Sequence, residues 1–242
     1  MRIAIISDIH SNAYALEALE KSLKEQAIDK IYNLGDILGY NANPREALDW
    51  VKENVDLSLR GEHDTLIAGI EPVYITDPDA VKVADWTYER LNQEDFNYIE
   101  NLPLDYENQN LILVHDDVSI PGNLFYITSE KDAKDALSAF NNKVCFYGHT
   151  HLPLIFQKDK DKKVKAIKES KISLQEGHTY LISVGSVGQP RDKDPRLCYA
   201  IYDTEKNTIE FIRAEYNTEK AAQDIKKQGL PERFAYRLLK GL

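Results

Sequence analysis

The chain has six histidines in 242 residues, and five of them stand where an apolar run stops. His10 ends the stretch "IAIISDIH", His63 follows "LSLRGE", His115 follows "LILV", and His149 and His151 follow "VCFYG". Carboxylates keep the same company. Asp8 lies two residues before His10, Asp36 closes "IYNLGD", and Glu62 and Asp64 flank His63. In "DIH" and "HTH" one residue separates two candidate ligands. On extended backbone such a pair points to one side and can reach one ion or two adjacent ions. Imidazole with carboxylate suits manganese, iron, zinc or cobalt rather than magnesium or calcium. Two aspartates with four or five imidazoles exceed the needs of one ion and suit two. Ions about 3.5–4 Å apart clamp a phosphoryl group and generate a hydroxide nucleophile. Singly, each signal is weak: Asp36 alone reads as a turn or cap residue, and His115 alone as a strand-end histidine. Their shared placement carries the inference. His178, in "EGHTY", belongs to no cluster and reads as structural.

The elements around these residues explain how they would meet. "RIAIIS" reads as a buried strand, residues 12–26 as an amphipathic helix with Ala15, Leu16, Leu19 and Leu23 on one face, and "DKIYNLGD" as a second strand. A helix opened by Pro44 and a strand in "VDLSLRG" complete a β-α-β-α-β rhythm, which predicts an α/β sheet. In open α/β sheets the ligand site lies beyond the carboxyl ends of the strands, where these residues sit. Residues 65–102 read as a helical insertion, with Asp77 as an N-cap. Strand signals resume at "LPLDYE", "NLILVHDD", "NKVCFYGHTHLPLIF", "TYLISVGSVGQPR" and "RLCYAIYD"; residues 198–216 read as a β-hairpin turning at "TEKN". Two helices around 218–240 follow, and the lysine-rich stretch 157–171 reads as a solvated hairpin or loop. The whole, 1–242, reads as one domain.

The totals exclude several classes. A formal net charge of -10 argues against broad capture of nucleic acid or of an anionic membrane. No stretch approaches the roughly 18 apolar residues of a membrane span. The N-terminal apolar run is too short for a signal peptide and meets Asp8 at once. Cys145 and Cys198 lie in apolar surroundings and read as buried free thiols, which implies a reducing cytoplasm.

The order "DIH…GD…HD…VH…GHTH", from residue 8 to 151, resembles the calcineurin-like metallophosphoesterase family. The continuation "SVGSVGQPRDKDPRLCYAIYD" is similar to that of its small prokaryotic phosphodiesterase and diadenosine-tetraphosphatase-like branch. The resemblance implies a four-layer α/β/β/α sandwich and an enzyme acting on a small phosphodiester, nucleotide or dinucleoside polyphosphate. It implies two divalent or mixed-valence transition ions (Mn, Fe, Zn, Co or Ni). Asp8, His10 and His151 would hold one ion. Residue 62, His115 and His149 would hold the other, with Asp36 bridging. His63 would protonate the leaving oxygen, with Asp64 orienting it.

The chain departs from the family pattern in two places that matter. Glu62 stands where the family has asparagine, and Asp116 where it usually has glycine, with Asp117 next. Glutamate adds a negative charge and loses the amide donor. Glu62 could ligate, could swing away and leave a weak position, or could mark a fold kept as a binding module. Asp116 and Asp117 would lower the local potential further. A protein phosphatase is a less favoured reading. On the substrate side, Arg191 and Arg196 in "VGQPRDKDPR" could hold a phosphate, or could merely pair with nearby aspartates. Tyr40, Tyr74 or Tyr126 could stack on a base.

Overall fold

A computed structural model describes residues 1–70, 77–141 and 143–242. Two six-stranded sheets face each other. The first half of the chain supplies β1 (Arg2–Ile6), α1 (Ala13–Glu25), β2 (Lys30–Asn33), α2 (Pro44–Asn54) and β3 (Leu57–Ser58), then the helices α3 (Glu62–Ala68), α4 (Pro78–Tyr88) and α5 (Gln93–Glu100). Next come β4 (Asp105–Glu107), β5 (Leu111–Val114), α6 (Glu130–Ala136), β6 (Val144–Tyr147), β7 (Pro153–Lys158), β8 (Val164–Ile167), β9 (Lys171–Ser173) and β10 (Thr179–Val184). The chain closes with β11 (Leu197–Asp203), β12 (Thr208–Ala214), α7 (Thr218–Lys227) and α8 (Glu232–Lys240).

One sheet runs β3-β2-β1-β11-β12-β9, the other β4-β5-β6-β10-β7-β8. Each sheet contains three mutually parallel neighbours, β1, β2 and β3 in one and β5, β6 and β10 in the other, and the candidate site residues follow their carboxyl ends. Alternation along β1 shows how the layers form. Ile3 and Ile5 enter the core between the sheets with Leu113, Phe146 and Ile182. Ala4 and Ile6 turn the other way, onto Leu16, Leu19, Leu48 and Val51 of α1 and α2. Cys145, Tyr147 and Leu181 meet Ala133 and Ala136 of α6 on the outer face of the second sheet. Period-two side chains on strands buried on both faces require this helix-sheet-sheet-helix stack, so the four-layer expectation holds.

The expected hairpin 198–216 forms, with β11 and β12 antiparallel from Leu197↔Ala214 to Asp203↔Thr208. The lysine-rich stretch contributes β8 to a second hairpin with β7. β3 is shorter than "VDLSLRG" suggests, because only Leu57 and Ser58 pair with β2. No helix among the described residues is long and apolar enough to cross a membrane.

Candidate metal centre

The residues singled out as metal ligands or proton donors lie just past β1, β2, β3, β5 and β6, in loops or, for Glu62, His63 and Asp64, in the first turn of α3. Their backbone differs from the extended form assumed above. Asp8, His10, Asp36, His149 and His151 all have φ between 48° and 60°. Left-handed backbone at non-glycine residues is costly and concentrates at functional sites. The neighbouring loops hold these conformations in place: Asp8 N–H donates to Gly35 O (3.1 Å), His10 N–H to Asp36 O (3.0 Å), and Gly188 N–H to Asp8 O (2.8 Å). Gly148 passes so close to β1's exit that a Cβ there would overlap the Ser7 hydroxyl.

Two groups of ligand atoms result. Asp8, His10 and His151 form one; Glu62, His115 and His149 form the other. In the first, His10 Nε2 and His151 Nε2 face each other at 3.1 Å, and Asp8 Oδ1 lies 3.4 Å from His151 Nε2. Asp36 stands between the groups, its Oδ2 3.6 Å from His10 Nε2 and 3.5 Å from His115 Nε2. Backbone carbonyls take the rear nitrogen of three rings. His10 Nδ1 lies 2.9 Å from Leu38 O, His115 Nδ1 3.0 Å from Leu34 O, and His151 Nδ1 2.6 Å from Gln189 O. A carbonyl can only accept, so each Nδ1 donates; burial holds His10 and His151 well below the ordinary histidine range, so their Nε2 atoms present lone pairs inward, as metal-ligating histidines do.

The donor set fits transition ions. Both oxygens of Asp8, Oδ2 of Asp36, Oε2 of Glu62 and Nε2 of His115 are buried without a hydrogen-bond partner among the described residues. Buried polar atoms are almost always satisfied, and these converge. Burial raises the Asp8 carboxyl to about 6. Burial, with Glu62 nearby, holds Asp36 well above the ordinary carboxylate range. Carboxylates so placed are short of positive charge, which cations supply.

Glu62 does not swing away. Its Oε1 lies 2.8 Å from His149 Nδ1, and its Oε2 lies 2.6 Å from His115 Nε2, too poorly aligned for a hydrogen bond. Burial would raise its pKa, yet the two imidazoles outweigh burial and hold it well below the usual range.

Residues 1–207 match the calcineurin-like phosphoesterase superfamily domain. The chain belongs to that family. It is therefore a phosphoric ester hydrolase from a metal-dependent group, and the ligand clusters above are its candidate metal-binding residues. An uncharacterized protein of Methanocaldococcus jannaschii is 36% identical over 99% of this chain and 98% of its own length. A metallophosphoesterase structure from Sphaerobacter thermophilus superposes with a TM-score of 0.86 at 34% identity, covering 100% of this chain and 99% of that one. A hypothetical protein from Pyrococcus horikoshii shares the fold, with a TM-score of 0.76 at 23% identity over 100% of this chain and 98% of that one.

Other residues of this phosphoesterase fall differently from expectation. Asp64 does not touch the His63 ring. Its carboxylate accepts from the backbone N–H groups of Ile37 (3.2 Å), Leu38 (3.0 Å) and Gly61 (3.1 Å), bracing the Asp36 loop against the start of α3. Tyr40 is the ring partner instead, its hydroxyl 3.0 Å from His63 Nε2. Nothing in the sequence marks that contact. Asp116 and Asp117 are taken up by their own loop. Asp116 accepts from Gly122 N–H (2.9 Å) and Leu124 N–H (2.6 Å), and Asp117 from Ser119 N–H (2.8 Å) and the Asn123 amide (3.0 Å). They shape the segment that lays Tyr126 against His149, ring centroids 4.2 Å apart.

The two arginines part company. Arg196 is exposed and engaged by Asp194 at 2.6 Å, so it is not among the residues brought to the centre. Asp192 is engaged by Arg213. Arg191 has no carboxylate within ion-pair distance among the described residues and lies over the Tyr40 ring, 5.5 Å from its centroid. His178 stands apart, near Glu176 O. Tyr74 lies outside the described residues.

Proposed function

We propose that this phosphoesterase hydrolyses a small phosphodiester, nucleotide or dinucleoside polyphosphate using two divalent or mixed-valence transition ions, manganese and iron foremost. Asp8, His10 and His151 would hold one, and Glu62, His115 and His149 the other, with Asp36 shared. The observation that carries the reading is Asp36 Oδ2, a buried oxygen without a hydrogen-bond partner, placed almost equally, at 3.6 and 3.5 Å, from a histidine of each group. When bound, the ions polarise the phosphoryl oxygens and lower the pKa of water.

The chain's own residues do the rest. His63, whose ring centroid is 5.0 Å from that of His10, would give a proton to the leaving oxygen. Burial pushes its pKa down, while Glu62 beside it and an anionic substrate favour the protonated ring from which that proton would come. Arg191 would hold the substrate's anionic oxygens; its neighbours' pairing with Asp192 and Asp194 leaves it without a carboxylate. That matters for charge. Two divalent ions are cancelled by Asp8, Asp36, Glu62 and a hydroxide, so Arg191 supplies the positive charge that glutamate at position 62 removes. Such a centre favours a phosphodiester monoanion over a monoester dianion. Tyr126, half-exposed beside His149, would line the substrate side. Both thiols are free and buried, which supports a reducing, cytoplasmic setting.

A competing reading also starts from Glu62. Its contacts with His115 and His149 could satisfy that half without an ion, leaving one metal and slow turnover. The test is hydrolysis of bis(p-nitrophenyl) phosphate and p-nitrophenyl phosphate by the manganese-loaded protein, with metal content measured. We expect two ions per chain and a diester preference. Glu62→Asn should shift the preference toward the monoester by about tenfold, the effect of one charge at about 1.4 kcal/mol. No hydrolysis of either ester would overturn the proposal, and one ion with faster turnover in Glu62→Asn would favour the competing reading.

A further inference from the structure

Tyr40 is used by no step above, yet the fold accepts a conformational cost to place it. Its φ is 54°, a left-handed backbone that bulky residues avoid. Gly39 before it has φ 100°, and a Cβ there would meet His63 Nδ1 at 2.8 Å. The Gly39–Tyr40 segment therefore wraps the His63 imidazole from both sides. Bare glycine backbone lies against Nδ1, and the Tyr40 hydroxyl stands 3.0 Å from Nε2. The phenol ring is itself wedged. It lies 4.4 Å from the His63 ring, 4.5 Å from the His10 ring and 4.9 Å from the ring of Phe234. Phe234 belongs to α8, beyond the residues that match the family domain.

We infer that Tyr40 is the positioning residue for His63. Its hydroxyl fixes the rotation of the imidazole, because the orientation of a histidine ring follows the hydrogen-bond partners of its nitrogens. Through Phe234, α8 sets where that hydroxyl stands. The inference rests on His63 being the proton donor proposed above. As the bond from phosphorus to the leaving oxygen breaks, that oxygen keeps the electron pair and takes a proton from the His63 imidazolium, which is left as a neutral ring and is reprotonated from solvent before the next turnover. A ring serving only to fill space would make no demand on the hydroxyl.

The experiment compares the wild type, Tyr40→Phe and Phe234→Ala, all manganese-loaded, on methyl p-nitrophenyl phosphate and methyl phenyl phosphate. Nitrophenolate leaves with little help, whereas phenolate needs a proton. Tyr40→Phe should lower kcat on the phenyl ester by tenfold or more, within the ~10²–10⁴-fold span of general acid catalysis. Its loss on the nitrophenyl ester should be much smaller, with KM and metal content unchanged. Phe234→Ala should act in the same direction and less. In the zinc-loaded proteins, imidazole nitrogen NMR should show the His63 resonances moving in Tyr40→Phe while those of His151 stay. Equal losses on the two esters, or unmoved His63 resonances, would overturn the inference. If the wild type cleaves neither ester, the proposed activity fails, and the His63 resonances alone decide the role of Tyr40.

Discussion

Two buried carboxylate sites in this molecule differ in their company. Asp95, in α5, is 1% exposed, and protein donors meet both its oxygens. Oδ1 meets Arg45 Nη1 (2.7 Å) and Lys52 Nζ (2.8 Å), while Oδ2 meets Arg45 Nη2 (2.5 Å) and Asn92 N–H (2.9 Å). Asp8 and Asp36 are 0% exposed, and three of their four oxygens have no hydrogen-bond partner among the described residues. Their acidities diverge accordingly. At Asp95 burial alone would raise the pKa, but Arg45 and Lys52 outweigh it and hold the group well below the usual carboxylate range. At Asp8 and Asp36 burial prevails and the carboxyls sit high. A buried carboxylate answered by the protein braces the fold; one left unanswered is built for something from outside.

Asp36→Asn should separate the two roles most sharply. Activity should fall by at least ~10²-fold, the scale of losing one centre of transition-state charge stabilisation, with metal content reduced. The chelator-treated protein should be no less stable than the treated wild type, since an uncompensated buried charge has gone; a large drop in its melting temperature would break the comparison. Chelation itself comes next. Removing ions present at a thousandfold excess over Kd costs about 4 kcal/mol, or roughly 10 °C in Tm for a chain of this length. Calorimetry with and without EDTA should show that shift in the wild type and in Asp95→Asn, and a much smaller one in Asp36→Asn. The smallest effect belongs to Asp95→Asn. Its partners Arg45 and Lys52 are 38% and 25% exposed and can rehydrate, so the loss should be about 2 kcal/mol. Activity per folded molecule should not change. The pH signature follows from the depressed pKa. The stability Asp95 contributes is fully present above its unfolded value of about 3.9. It is lost as pH falls from there through the lower folded value. Denaturation between pH 5 and 2 should therefore show a shallower acid limb in Asp95→Asn than in the wild type.

The sequence made the clustering legible because strand ends and ligand types coincide: each of Asp8, Asp36, His115 and His149 lies just past a readable apolar run. The α/β sheet was readable for the same reason, from continuous Ile, Leu and Val runs, whereas the four-layer sandwich was implied only by the resemblance to the family. Several contacts were not readable, because they depend on which distant element arrives first at a side chain. Arg191, which donates to the Gln189 amide oxygen, lacks a carboxylate partner among the described residues and Arg196 does not, because Arg213 on β12 occupies Asp192 while Asp194 turns to Arg196. The resemblance made Asp64 the partner that orients His63, but at the third position of α3 its carboxylate folds back to the Gly61 N–H at the helix start and to the N–H groups of Ile37 and Leu38. At the left-handed positions themselves, His10 and His149, no glycine stands to announce the turn.

The ligand loops come from both sheets, and His10 meets His151 across 141 residues of chain. That separation sets a timetable. Closing so long a loop is entropically unfavourable until much of the sandwich has formed. A nascent or half-folded chain thus offers an ion only scattered, competing side chains. Tight capture begins when the two sheets dock, so the finished scaffold, rather than the metal, decides the order of events. An ion held by the proposed ligands would arrive last, at a place already shaped for it, and would then tie the two halves to one another.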